Sequence, residues 1–79
     1  MTLEGKKLAV GAKEARKSLL AGRAEILYLA YDAAESITEP LRSAADEKEV
    51  PIDRDHTMRE LGRAAGIAIG ACAVTVLKE

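Results

Sequence analysis

The chain has 79 residues, 48% of them hydrophobic but none Phe or Trp, and 12 Lys+Arg against 13 Asp+Glu leave a formal net charge of -1. That length holds one domain with an economical core and no second domain, while the apolar fraction and low net charge exclude a disordered chain. A single cysteine, Cys72, cannot form an internal disulfide, which excludes the disulfide-stapled secreted class and points to a reducing, cytoplasmic setting.

The opening MTLEGKKLAV has two lysines but no apolar core, so no signal peptide is expected there. The longest weakly polar run, AAGIAIGACAVTVL, falls short of the roughly twenty residues a membrane span needs, and no membrane association is expected. Charge is unevenly spread. Residues 1–24 carry six basic against two acidic side chains, and residues 25–55 carry nine acidic against three basic. Such a domain can offer its basic end to a polyanion while its acidic end discourages indiscriminate coating.

In chain order, Gly11 precedes AKEARKSLLAG, a short helix whose Ala12, Ala15 and Leu19 line one side and which Gly22 ends. Glu25 to Tyr31 reads as a buried central strand. Ser36 or Thr38 opens a second helix; Ser36 with Glu39 forms a capping box, Pro40 sits in the first turn, and the helix runs to about Glu49. Val50 to Asp55 is a short strand. Thr57 and Glu60 form another capping box, starting a helix through Leu61, Ala64 and Ala65 to Gly66. The segment Gly66-Ile67-Ala68-Ile69-Gly70 is a turn, and Cys72 to Leu77 is the last strand. Helices alternating with apolar strands give an α/β class, with helices on both sides of a mostly buried sheet.

Little in this sequence suggests catalysis. His56 and Cys72 are the only soft metal ligands, one of each, too few for a structural zinc site. Cys72 lies in an apolar strand and reads as a core residue; His56 reads as part of an exposed linker. Asp53 and Asp55, two apart, share a strand face and read as solvated rather than as an acid/base pair. No phosphate-loop or dinucleotide fingerprint is present, so neither a cofactor nor a small-molecule substrate is expected. The constellation that stands out is Gly11-Ala12-Lys13-Glu14-Ala15-Arg16-Lys17. Lys13 and Lys17 share a helix face beside Glu14 and a helix start, a setting that attracts phosphate and supplies one acceptor for a base edge. On spacing alone the commoner reading is an ordinary solvated helix face.

GAKEARK, then EILYLAYD, then VPI, then ELGRAAGIAIGACAV, taken together over residues 8–77, resemble the kink-turn-binding large-subunit ribosomal protein family of archaea and eukaryotes, the seven-Ae and thirty-e type, and above all its short bacterial homologues. The resemblance implies a three-layer α/β/α sandwich around a four-stranded mixed sheet, with a short extra strand at Lys7 to Val10. It implies a non-enzymatic protein, and nothing in the sequence demands more than a monomer. Its partner would be RNA: a kink-turn, a bulge beside tandem sheared G·A pairs, in ribosomal RNA or a riboswitch. The implied RNA-binding residues are Gly11, Ala12, Lys13, Glu14 and Lys17 at the G·A edges, Arg63 toward phosphate, and Ile67, Ala68, Ile69, Gly70 and Ala71 over the bulged nucleotides. The chain departs from the family pattern at Lys13 (Asn in archaea), Ala68 (often Glu), Gly70 (Pro in archaea) and Ala34-Glu35 (usually Asp-Pro). A protein-interaction or assembly role in translation, on the same fold and using the acidic 25–55 region, is the alternative.

Overall fold

The computed structural model describes residues 3–79. Its elements run β1 (Leu8–Val10), α1 (Ala12–Leu20), β2 (Ala24–Ala30), α2 (Glu35–Glu47), β3 (Ile52–His56), α3 (Met58–Ala64) and β4 (Ala73–Leu77). The strands form one sheet in the order β1-β4-β2-β3; β4 is antiparallel to β1 and β2, and β2 is parallel to β3. This is the expected mixed sheet. The interior strands β2 (AEILYLA) and β4 (AVTVL) are largely apolar, as strands covered on both faces must be.

Side chains alternate across each strand and so feed two cores. Leu27, Leu29 and Ala73 pack with Ala15 and Leu19 of α1 and with Leu41, Ala44 and Ala45 of α2. Ala30, Val74 and Val76 pack on the opposite face with Leu61 and Ala64 of α3 and with Leu3. The result is the three-layer sandwich. Ala15, Ala45 and Ala73 are wholly buried, and their small side chains let helices lie close to the sheet without aromatic filler. Cys72 is half-buried against the first core, and it precedes β4 rather than lying within it as the sequence suggested. Thr75 is fully buried in β4, and its hydroxyl has no hydrogen-bond partner among the described residues.

All three helices end in the same way. The residue after the C-cap has positive φ (Gly22, +71°; Glu49, +57°; Gly66, +77°), and the next two amides fold back on the last turn. In α1 these bonds are Gly22 N–H to Leu19 C=O and Arg23 N–H to Ser18 C=O; in α2, Glu49 to Asp46 and Val50 to Ala45; in α3, Gly66 to Arg63 and Ile67 to Gly62. Each is a Schellman motif. Only the middle one lacks glycine.

Three local expectations are corrected. The α2 N-cap is Ala34 without a side-chain cap, so Ser36 and Thr38 lie inside the helix and the Ser36–Glu39 box does not form; Glu39 accepts from Arg42 instead. Pro40 is the sixth helical residue rather than a first-turn residue, and its missing N–H leaves the Ser36 carbonyl without its helical donor. His56 is not in an exposed linker: it ends β3, with its Nδ1 3.1 Å from Asp53 Oδ1 and its ring edge-on to Tyr28. The cause is an irregularity in the β2–β3 register, where Tyr28 faces Asp53 but Ala30 faces His56. Asp53 Oδ1 spans that bulge by also accepting the Asp55 N–H at 3.0 Å.

Candidate nucleic-acid interface

The chain leaves β1 through Gly11, whose φ of 96° and ψ of 166° suit glycine and almost no other residue. Its N–H donates to the Ala73 carbonyl at 2.8 Å and its own carbonyl accepts from Ala15 N–H at 3.0 Å, so one residue ends the β1–β4 ladder and starts α1. No side chain caps α1. The amides of Ala12, Lys13 and Glu14 therefore have no acceptor within the helix. A Cβ on Gly11 would meet nothing within 4 Å, so the space before this helix start is open.

Lys13, Glu14 and Lys17 are all exposed around that opening, while Ala12 is half-buried against the first core and offers mainly its backbone. Glu14 and Lys17 line a groove between α1 and the edge strand β1, together with Leu8, Val10 and Arg23. Ser18 Oγ donates to the Glu14 carbonyl at 2.8 Å within the helix and leaves the Glu14 carboxylate unused by it.

The start of α3 differs, because three of the amides there are already taken. Glu60 N–H donates to Thr57 Oγ1 at 3.1 Å, Thr57 N–H donates to Glu60 Oε1 at 2.9 Å, and Met58 N–H donates to Asp32 Oδ1 at 2.8 Å. The expected capping box is thus present. The Thr57 N–H, and after it the Thr57 hydroxyl, hold the Glu60 carboxyl below the ordinary glutamate range.

After Gly66 the chain folds back over α3. A Cβ on Gly62 would lie 2.0 Å from the Ile69 carbonyl oxygen, and one on Gly70 would lie 3.2 Å from Met58 Cβ; Ala71 N–H donates to the Met58 carbonyl at 2.9 Å. Backbone rests on backbone here, and two glycines make the contact possible. The side chains point outward: Ile69 is 76% exposed and Ile67 37%. Ala71, grouped with this loop in the sequence, is buried instead. Arg59 and Arg63, one helical turn apart, line a recess with Ile67, Ala68, Ile69 and Gly70. Arg59 and Gly62 were not singled out from the sequence; the four-residue spacing of Arg59 from Arg63 was the available signal for the first.

Both halves meet at one end of the sheet. Gly11 N–H bonds to Ala73 on one side of the start of β4, and Ala30 N–H bonds to the Cys72 carbonyl at 3.0 Å on the other. The 66–72 loop feeds directly into those residues. Cations of α1 and α3 thus flank this end, whereas the one cation of α2, Arg42, is bonded to Glu39 and Asp46 on its own helix. The Arg42 hydrogen bond lowers the Glu39 carboxyl from its ordinary value, and Glu39 in turn raises the guanidinium. Among the described residues no group of three or more His, Cys, Asp or Glu could hold a metal ion, and no helix is long and apolar enough to cross a membrane.

Comparison with known proteins agrees with this architecture. An RNA-binding protein of Geobacillus thermodenitrificans is 37% identical over 76 residues, covering 96% of this chain and 93% of that protein. The large ribosomal subunit protein eL8 of Haloquadratum walsbyi is 34% identical over 68 residues, covering 85% of this chain and 57% of that protein. Among solved structures, the 15.5kD RNA binding protein of Giardia lamblia superposes with a TM-score of 0.85 at 30% identity, covering 91% of this chain and 61% of that one. A family model matches residues 1–79 in full, and the chain belongs to the ribosomal protein L7Ae/L30e/S12e/Gadd45 family.

Proposed function

We propose that this protein is a non-enzymatic RNA-binding module that recognises kink-turn RNA. Lys13, Glu14 and Lys17, with the uncapped amides behind Gly11, take the edges and phosphates of the sheared G·A pairs. Ile67, Ala68, Ile69 and Gly70 cover the extruded nucleotides, and Arg59 and Arg63 meet the phosphates beside them. The observation that carries this reading is the Gly11 N–H bond to the Ala73 carbonyl, which joins the polar helix start to the strand entered from the apolar loop. Ordinary A-form RNA hides its base edges in a deep, narrow major groove, so a helix start reads them only where a kink opens the duplex. A polar contact and an apolar contact side by side select the bent shape over a straight duplex or a loose strand. Binding then draws the RNA toward its kinked population.

The test is a titration of a labelled kink-turn RNA, and of a control with Watson–Crick pairs in place of the G·A pairs, at two salt concentrations. Tight binding and bending of the first RNA alone supports the reading. Lys17→Ala and Glu14→Ala each remove a charge-assisted hydrogen bond worth about 1.5 to 3 kcal/mol, so each should weaken binding about tenfold or more with the fold unchanged by circular dichroism. Equal, steeply salt-dependent binding to both RNAs would reduce the site to a basic patch and end this reading.

A further inference from the structure

Tyr31 is 61% exposed, and with Tyr28 half-buried against His56 it is the one exposed aromatic side chain of the chain. Its position is fixed from both sides. Ala30 N–H donates to the Cys72 carbonyl, Tyr31 N–H donates to the His56 carbonyl at 3.1 Å, and Asp32 Oδ1 accepts the Met58 N–H. Ala33 N–H closes the turn on the Ala30 carbonyl, so Tyr31 projects from a turn whose backbone is held by both neighbouring strands and by α3.

This turn sits at the same end of the sheet as Gly11. Val10 pairs with Val74 and Leu29 pairs with Ala73, so β1 and β2 flank the start of β4. At two strand spacings, the backbones at Gly11 and Leu29 are about 10 Å apart, and Tyr31 follows two residues beyond Leu29. The 66–72 loop arrives between them. The charges around Tyr31 then select what it can bind. Asp32 and Glu35 are acidic and exposed, and the α1 and α3 cations lie to either side. A phosphate is repelled from the ring's surroundings and drawn to those flanks, which leaves a base as the part of a nucleotide that reaches the ring.

We infer that Tyr31 is a stacking platform for one unpaired base of the bound RNA, next to those under the 67–70 loop. The inference rests on the RNA-binding reading above and adds a contact to it. Because the backbone is already held, stacking orders only the side-chain torsions of Tyr31.

The experiment uses the same labelled kink-turn RNA with the parent protein, Tyr31→Ala, Tyr31→Phe and Lys17→Ala, and a set of RNAs carrying an abasic site at each unpaired nucleotide in turn. Tyr31→Ala should weaken binding about tenfold, the scale of losing one stacked base, while Tyr31→Phe should bind like the parent. One abasic RNA should weaken the parent by the same factor and bind Tyr31→Ala no worse. If Tyr31→Ala binds as tightly as the parent while Lys17→Ala does not, the stacking contact is refuted and the RNA site stands. Failure of every protein to discriminate the kink-turn from its paired control would overturn the site and the stacking contact together. An equal loss with Tyr31→Phe would make the hydroxyl, not the ring face, the contact and would overturn the proposal.

Discussion

Replacing Gly62 by alanine sets two effects of known size against each other. Gly62 is an interior residue of α3, and it is not among the glycines with positive φ. Helix propensity alone therefore favours alanine by about 1 kcal/mol. Packing opposes it. The new Cβ would lie 2.0 Å from the Ile69 carbonyl oxygen and 3.0 Å from the Gly70 Cα. That carbonyl belongs to the main chain and has no rotamer to adopt; it would have to recede by about 1 Å, and overpacking of this kind costs about 1 to 3 kcal/mol. Retreat is limited further along, where the chain passes so near Met58 that a Cβ on Gly70 would lie 3.2 Å from Met58 Cβ. The clash should outweigh the propensity and leave a net loss of up to about 2 kcal/mol. In a domain of this size each kcal/mol moves the melting temperature by about 4 to 8 °C, well within the reach of a far-ultraviolet melt. Affinity for kink-turn RNA should fall as well, because Ile67 and Ile69 ride on the displaced segment. A Gly62→Ala protein that melts at or above the parent temperature would refute the close contact of α3 with the loop.

Thr57→Ala removes the hydroxyl that caps α3 and should cost about 1 kcal/mol by chemical denaturation. The lowered pKa of Glu60 means that the box contributes fully above the ordinary glutamate value and is lost as pH falls through the lowered one. The stability difference between parent and Glu60→Gln should therefore narrow in acid, and a constant difference would contradict the pairing. Thr75→Val removes a buried hydroxyl that has no partner among the described residues. It should be neutral or stabilise by about 1 kcal/mol, and a clear drop in melting temperature would reveal a bonded hydroxyl. Glu49→Gly relieves a left-handed φ of 57° and removes an acid from a helix end whose last turn has no basic residue. After the extra chain entropy of glycine, a gain of about 0.5 to 1 kcal/mol should appear in denaturant melts, and a loss would show that Glu49 is not strained.

What the sequence revealed was whatever short spacing controls. The Thr57–Glu60 box lies within four residues, and it formed as expected. The cluster Gly11 to Lys17 was visible because one helical turn brings those residues together. Gly62 was opaque for the converse reason: what forbids a side chain there is a carbonyl seven residues on, which returns only after a Schellman turn. Pro40 misled because propensity places proline in a first turn, whereas tertiary packing of Thr38, Leu41 and Ala45 under α2 fixes where that helix begins. His56 was misjudged because one additional residue in β3 extends the strand by a position, and no local signal marks the bulge.

The strand that leads into Gly11, β1, has three residues, lies at the sheet edge and pairs with β4 alone among the described strands. Edge pairing of that kind opens at a lower free energy than the interior ladder, without global unfolding. Opening of β1 would release the Gly11 amide from Ala73 and uncouple the helix start from the loop while β2, β3 and β4 stay paired. Amide hydrogen exchange at Gly11 is thus a direct reporter of whether the site is assembled. An RNA that grips both halves should slow that exchange far more than exchange at Leu27 in β2, whose amide is bonded to the Pro51 carbonyl and lies outside the site.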